Sequence, residues 1–156
     1  YFNVAGASKS GKIGQIERSH GQLIKNLAIT SLKKNPKINI YGKDYNTRDG
    51  TCVRDYIHVT DLADIHTKFV QHQFKKKKSL IVNCGYGKGY SVKEVVDIFK
   101  SIKKNVVVSY QKRRPGDIGQ VFANTKRLKK NTKWIPKFNN MKKIILSSIE
   151  WEKKIR

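Results

Sequence analysis

Seven arginines stand against 27 lysines in this 156-residue chain. An arginine therefore marks a place where a planar, permanently charged fork serves better than a point charge, as in two-pronged binding of phosphate or carboxylate. Arg54-Asp55-Tyr56 and Arg113-Arg114-Pro115-Gly116-Asp117 both occupy turn contexts. With Asn3 they form a scattered set of loop polar groups able to converge on a diphosphate. Exposed Arg–Asp pairs are common and individually weak, so ordinary surface ion pairs remain the other reading of the same residues. A second candidate, Gly85-Tyr86-Gly87-Lys88-Gly89, follows an apolar run and precedes a helical pattern. It departs from the dinucleotide fingerprint in detail: Tyr90 stands where the third glycine would let helix and strand pack closely, and no acidic residue follows about twenty positions on. A plain strand-to-helix turn is expected. Cys52 and Cys84 have no further Cys or His at metal-ligand spacing, which indicates neither a zinc site nor a disulfide framework and makes a reducing, cytoplasmic compartment the expectation.

The formal net charge of +23 comes mostly from lysines spread along the whole chain, with a block at 75–78 and pairs at 33–34, 103–104, 129–130, 142–143 and 153–154. Nucleic-acid recognition concentrates basic groups on one face and mixes arginine and aromatics among them. Lysines on the polar side of nearly every element instead predict a solvated surface with weak, salt-sensitive attraction to polyanions and no specific nucleic-acid partner. A basic polyanion-binding module on a relic enzyme scaffold is the alternative to an enzyme part. No apolar run approaches the roughly 20 residues of a bilayer crossing, so no membrane span is expected.

Four helical patterns would carry these groups. Val92, Val95, Val96, Phe99 and Ile102 repeat at i, i+3, i+4, i+7 over 91–104, and Ser91 with Glu94 forms a capping box at the start. A second helix opens at Asp61 with Leu62, Ile65, Phe69 and Val70 facing inward and ends in the 75–78 lysine block, which suits a helix C-terminus. Leu23 to Leu32 and Met141 to Ile155 are the others; the last turns Ile144, Ile145, Ser148 and Ile149 to one face, with Trp151 anchoring its end. Apolar runs at Ile38 to Tyr41, Tyr56 to Val59, Leu80 to Cys84 and Val106 to Tyr110 read as strands, and Tyr1 to Gly6 opens as another. Leu80 to Cys84 lacks alternation, as a strand covered on both faces would. Alternating strands and helices predict an α/β class. The strands are too few to close a doubly wound sheet, and a chain opening inside a strand suggests that further residues precede it. Gly42 to Gly50 reads as an ordered turn, either a surface hairpin or part of a site.

Several stretches, in this order and spacing, resemble the UDP-glucose 4-epimerases of the extended short-chain dehydrogenases, an NAD-dependent epimerase/dehydratase family. They are Tyr1 to Ala7, Gly42-Lys43-Asp44-Tyr45, Asp49 to Ala63, Asn83 to Gly87, Ser91 to Val96 and Arg113 to Asp117. The fifteen-residue Asp49 to Ala63 block is the most specific and the glycine turn the least. The resemblance implies that residues 1–156 are the C-terminal, UDP-sugar-binding portion of that fold, with the last strands of an incomplete Rossmann sheet and without the NAD-binding domain. In this family the other half holds NAD and supplies a Tyr-x-x-x-Lys base. That base takes the sugar 4-hydroxyl proton while hydride passes to the nicotinamide, and hydride then returns to the other face of the 4-keto sugar. A uronic-acid epimerase or a nucleotide-sugar dehydratase is a neighbouring reading that fits the Asp49 to Ala63 block less well.

Residue by residue, the resemblance implies that Phe2 lies beside the nicotinamide and that Asn3 donates to the diphosphate. Gln22 and Leu23 fall where the nucleotide meets a helix start, although many relatives have His-Leu-Ile where this chain has Gln22-Leu23-Ile24. Tyr41 would face the uracil, a role any flat ring can fill, or else be a core tyrosine at a strand end. Arg54 and Arg114 would clamp the diphosphate, Asp117 would accept from the ribose hydroxyls, and Val121 would set the room left for N-acetylated sugars. None of the seven tyrosines has a lysine four positions later. The chain is therefore expected to hold no catalytic residue, to keep no NAD by itself, and to be inactive alone, because holding substrate without a hydride acceptor and a base lowers no barrier. A UDP-hexose, a separate N-terminal half and, by family habit, a second copy in a homodimer are the expected partners. Exposed sheet edges predict poor solubility or dimerisation of the lone chain.

Overall fold

The computed structural model describes residues 2–16, 21–77 and 79–156. Tyr1 and Lys78, the ends of two stretches read above, lie outside them. The order of elements is β1 (Asn3–Ala5), α1 (Leu23–Ser31), β2 (Lys37–Tyr41), β3 (Val53–His58), α2 (Val59–Lys76), β4 (Gly89–Ser91), α3 (Val92–Ile102), β5 (Val107–Gln111), β6 (Gln120–Val121), α4 (Lys126–Thr132) and α5 (Met141–Ile155). The class is mixed α/β with parallel strands in partial sheets. β3 is the hub: its C-terminal half pairs parallel with β1, and Val53 and Arg54 are flanked by antiparallel β4 on one edge and parallel β6 on the other. β2 and β5 form a separate parallel pair, Lys37 opposite Val107 through Tyr41 opposite Gln111.

One apolar core joins these pieces. Leu27 and Ala28 of α1, Val95, Val96 and Phe99 of α3, and Ile144, Ile145 and Ile149 of α5 meet Ile40 of β2 and Ile57 of β3. The capping box of α3 forms as expected, Ser91 accepting from the Glu94 N–H while the Glu94 carboxylate accepts from the Ser91 N–H. In α5 the expected face is buried, and the Trp151 indole packs against the chain at Gly14.

Three expectations are corrected. Leu80 to Cys84 forms no ladder; its backbone meets the residue before β1, the Phe2 N–H donating to the Cys84 carbonyl at 3.1 Å, and Ile81 is 85 % exposed. An apolar run predicts two covered faces only where neighbouring strands exist to cover them. The second helix starts at Val59, two residues before Asp61, because Nδ1 of His58 accepts from the Thr60 N–H and caps it. Its Val70 is 54 % exposed, not inward, whereas Leu62 and Ile65 are buried. As expected, Lys75 and Lys76 occupy its last turn, and Lys77 ends it in a left-handed conformation.

Buried carboxylates tie the irregular segments to this frame. Asp55 is fully buried and accepts from the N–H groups of Tyr86 (3.0 Å), Gly87 (2.8 Å) and Ala123 (3.2 Å). Asp61 accepts from the Tyr86 hydroxyl at 2.6 Å and from the N–H groups of Lys137 and Phe138. The Tyr86 hydroxyl in turn accepts from the His58 N–H at 3.1 Å. Burial and then the bond to Asp61 push the Tyr86 phenol far above its ordinary range.

Candidate functional site

A groove opens where β1, β3 and the start of α1 meet the loop 113–119. It consists of three adjoining cavities of about 450, 250 and 80 Å³ that share walls. Asn3, Gln22 and Arg54 separate the first from the second; Leu23, Arg114 and Asp117 separate the second from the third. Phe2 and Val121 line the first cavity, and Tyr41 lines the third. All nine residues named from the sequence therefore border one continuous surface, with Phe2 at one end and Tyr41 at the other.

The elements explain the placement. Arg54 sits near the start of β3, where β4 and β6 hold the backbone on both sides and leave the side chain to reach into the groove. Asn3 lies on β1 with its amide donating to the Asp55 carbonyl at 3.1 Å. In β2 the alternation Lys37, Asn39, Tyr41 out and Ile38, Ile40 in carries Tyr41 to the surface; it is 39 % exposed, which excludes the core-tyrosine alternative. Arg114 and Asp117 are the arms of one turn, joined by the Asp117 N–H donating to the Arg114 carbonyl at 3.3 Å.

The charges converge. Nε of Arg114 donates to Oδ2 of Asp117 at 2.9 Å, and Nη2 of Arg54 lies 3.9 Å from Oδ1 of the same carboxylate. The bond to Asp117 raises the Arg114 pKa further. Arg54 also donates from Nη1 to the Val53 carbonyl at 2.9 Å, and the Arg114 guanidinium stands 5.0 Å from the Tyr41 ring centroid. Two cationic forks, one carboxylate and one half-exposed aromatic ring thus share a cleft. Such a set can hold a dianionic linker with a flat ring on one side and hydroxyl groups near the carboxylate.

Arg113 separates from its neighbour. It pairs with Asp44 and stacks 4.2 Å from the centroid of Tyr45, and its bond to Asp44 holds that carboxyl below the usual range. No residue of the turn 42–50 borders the three cavities, so that turn is a brace rather than a wall. The glycine run 85–89 is not a phosphate cradle: the N–H groups of Tyr86 and Gly87 are already donated to Asp55. Among the described residues, no group of three His, Cys, Asp or Glu could hold a metal ion, and no helix is long and apolar enough to cross a membrane.

Sequence reasoning missed Asn39, Cys52 and Ile118 as groove residues. Period-two alternation in β2 puts Asn39 on the Tyr41 face and could have found it. Cys52 and Ile118 carried no such signal.

The model of the GDP-mannose 4,6 dehydratase family matches residues 2–145. The chain belongs to that family. It is 42 % identical over 156 residues to a UDP-glucose 4-epimerase of Azospirillum brasilense, covering 99 % of this chain and 45 % of that protein. It is 38 % identical over 158 residues to UDP-arabinose 4-epimerase 1 of Arabidopsis thaliana, covering 98 % of this chain and 38 % of the relative. The fold superposes with a TM-score of 0.93, at 30 % identity, on UDP-glucose 4-epimerase from Stenotrophomonas maltophila, a structure with bound NAD and formylated UDP-arabinopyranose; the match covers 99 % of this chain and 46 % of that one. The described elements are thus part of the extended short-chain dehydrogenase epimerase fold, and the chain spans under half the length of these relatives.

Proposed function

We propose that this chain is the C-terminal, UDP-sugar-binding portion of a UDP-glucose 4-epimerase, which interconverts UDP-galactose and UDP-glucose in galactose metabolism. The observation that carries the reading is the meeting of Arg54 and Arg114 on Asp117, in a groove with the Tyr41 ring at one end. Tyr41 offers its face to the uracil, and the two guanidinium groups grip the diphosphate with the donors that Asp117 does not use. Asp117 keeps lone pairs for the ribose hydroxyls. Asn3, Gln22 and Leu23 line the path between base and sugar, and Val121 bounds the sugar end, where its medium bulk leaves room beyond a plain hexose.

NAD does not fit on these residues alone. Phe2 at the sugar end is the one nicotinamide neighbour the reading supplies, and two N–H groups of the glycine turn, those of Tyr86 and Gly87, are engaged by Asp55. The dinucleotide and the Tyr-x-x-x-Lys base belong to a companion half outside this sequence, so the chain by itself turns over no UDP-sugar.

Calorimetry of UDP titrated into the full chain, alone and with the N-terminal half of a relative, tests this. Arg54→Ala and Arg114→Ala each remove a charge-assisted bond to phosphate and are expected to weaken binding by about ten- to a hundredfold. The attraction should persist at salt concentrations that abolish diffuse lysine binding. A folded protein giving no heat in either arrangement overturns the proposal, as does unaided interconversion of UDP-galactose and UDP-glucose.

A further inference from the structure

The buried ion pair between Lys25 and Glu152 has no part in the chemistry above, yet its position is costly. Lys25 and Glu152 are 5 % and 1 % exposed. Lys25 stands in the first turn of α1, where the helix dipole disfavours a cation. Burying two charges rarely stabilises a fold over an apolar pair of the same size, so such a pair points to something it holds in place.

What it holds is Gln15. The Gln15 carbonyl accepts from Nζ of Lys25 at 2.7 Å and from Nε1 of Trp151 at 2.8 Å. The preceding residue lies flat on the indole: a Cβ at Gly14 would come within 2.3 Å of the Trp151 ring. Glu152 is fixed on its other oxygen by Nε of Arg156 at 2.9 Å. α1 and α5 together therefore clamp the backbone at 14–15 against the body of the protein. From that point the Gln15 side chain reaches across and donates from Nε2 to Oε1 of Gln22 at 3.1 Å. Gln22 lines the groove beside Asn3 and Arg54.

We propose that Gln15 is a positioning residue for this groove. With Oε1 of Gln22 engaged, that amide faces its surroundings as a donor through its NH2 group, which is the polarity a phosphate oxygen of a nucleoside diphosphate requires. A free glutamine amide presents either end. The bond from Nε2 of Gln15 removes the choice, and because the backbone it springs from is clamped by Trp151 and by the Lys25–Glu152 pair, the C-terminal helix becomes part of the nucleotide site. The proposal rests on the reading of the groove as a UDP-sugar site.

UDP affinity of the full chain, measured by calorimetry in Gln15 and Gln22 variants, is the test. Gln15→Ala is expected to weaken UDP by about threefold to tenfold, the range of one neutral hydrogen bond. Gln15→Glu keeps the side-chain volume but accepts from the Gln22 NH2 group, turning Oε1 towards the phosphates, and is expected to weaken UDP more than Gln15→Ala does. In a Gln22→Ala background, Gln15→Ala should cost nothing further. A role in stability alone predicts the reverse order, with alanine worse than glutamate, and equal losses in both backgrounds; either result overturns the proposal, as does unchanged affinity in Gln15→Ala. If the unsubstituted chain fails to bind UDP, the function reading fails and takes this inference with it. If it binds and only the Gln15 variants behave wrongly, the function reading stands.

Discussion

Asp55→Asn is the smallest change that tests how the groove is held open. The carboxylate receives three backbone N–H groups, Tyr86 on Oδ1 and Gly87 and Ala123 on Oδ2, and none of the side chain reaches solvent. Asparagine has the same shape but one acceptor oxygen. Its best orientation keeps that oxygen in place of Oδ2, retaining Gly87 and Ala123, and points the NH2 group at the Tyr86 N–H. Orphaning one buried N–H costs about 1–3 kcal/mol, and the two retained bonds fall from charge-assisted to neutral strength, together about 1 kcal/mol more. The sum is about 3 kcal/mol, or about 6–12 °C in melting temperature for a chain of this size. Thermal melts by circular dichroism, with the exposed Asp97→Asn as a control expected to move little, measure it. A melting temperature within about 2 °C of the parent would show that Asp55 does not staple the 85–87 turn and residue 123 to β3.

Gly6→Ala should be destabilising despite its size: the residue has φ of +87°, and a Cβ there would lie 2.5 Å from the His58 ring. A loss of about 2 kcal/mol or more in urea titration is expected, and a neutral result would refute the close approach. Burial holds the His58 pKa below its ordinary 6.5, with the Asp61 charge acting against the shift. Because the unfolded chain then binds the proton more readily, the stability from neutral His58 is full above about pH 6.5 and is lost as pH falls below it. Denaturation midpoints across pH 5–8 should show that slope, and His58→Gln should flatten it. Breaking the buried ion pair with Glu152→Ala should cost about 3–5 kcal/mol by denaturant titration, whereas the paired replacement Lys25→Met with Glu152→Leu should recover most of it. Equal losses in the two variants would refute the assignment of the cost to an uncompensated buried charge.

The helices α1, α3 and α5 were legible because each repeats an apolar stripe over two or more turns. α3 announced its start through Ser91 and Glu94. The start of α2 was misplaced because the capping group is an imidazole, His58, and not one of the usual hydroxyl or carboxylate caps. β4 and β6, of three and two residues, are too short to show a period, and α4 has one buried residue, Leu128, in seven. Leu80 to Cys84 was misread because hydrophobicity reports what a segment can bury, not what lies beside it. In the groove, physical reasoning alone reached Asn3, Arg54, Arg114 and Asp117 through residue type and turn context. It could not separate Arg113 from Arg114, since which guanidinium enters depends on the direction in which the turn after β5 leaves the strand. Phe2, Gln22, Leu23, Tyr41 and Val121 came through the family resemblance; nothing in their local chemistry singles them out.

The most specific stretch of sequence, Asp49 to Ala63, places few side chains in the groove: Cys52, Arg54 and Tyr56 border it. Its other polar groups face away. Asp49 accepts from the Thr51 N–H and Oγ1 and is bonded by Ser91; burial resists its ionisation, but these bonds prevail and lower its pKa. Asp55, His58 and Asp61 collect N–H groups from residues 60, 86, 87, 123, 137 and 138. Those donors belong largely to turns and loops, where no sheet partner exists to receive them, and a buried N–H without an acceptor is among the larger penalties a fold can carry. One strand and the first turn of one helix thus supply side-chain acceptors where main-chain carbonyls are out of reach. Alternation along β3 makes the division possible: Arg54 and Tyr56 reach the groove, and Asp55 between them turns to the loops that support it. The motif meets two demands at adjacent positions, lining the groove on one side and organising irregular backbone on the other.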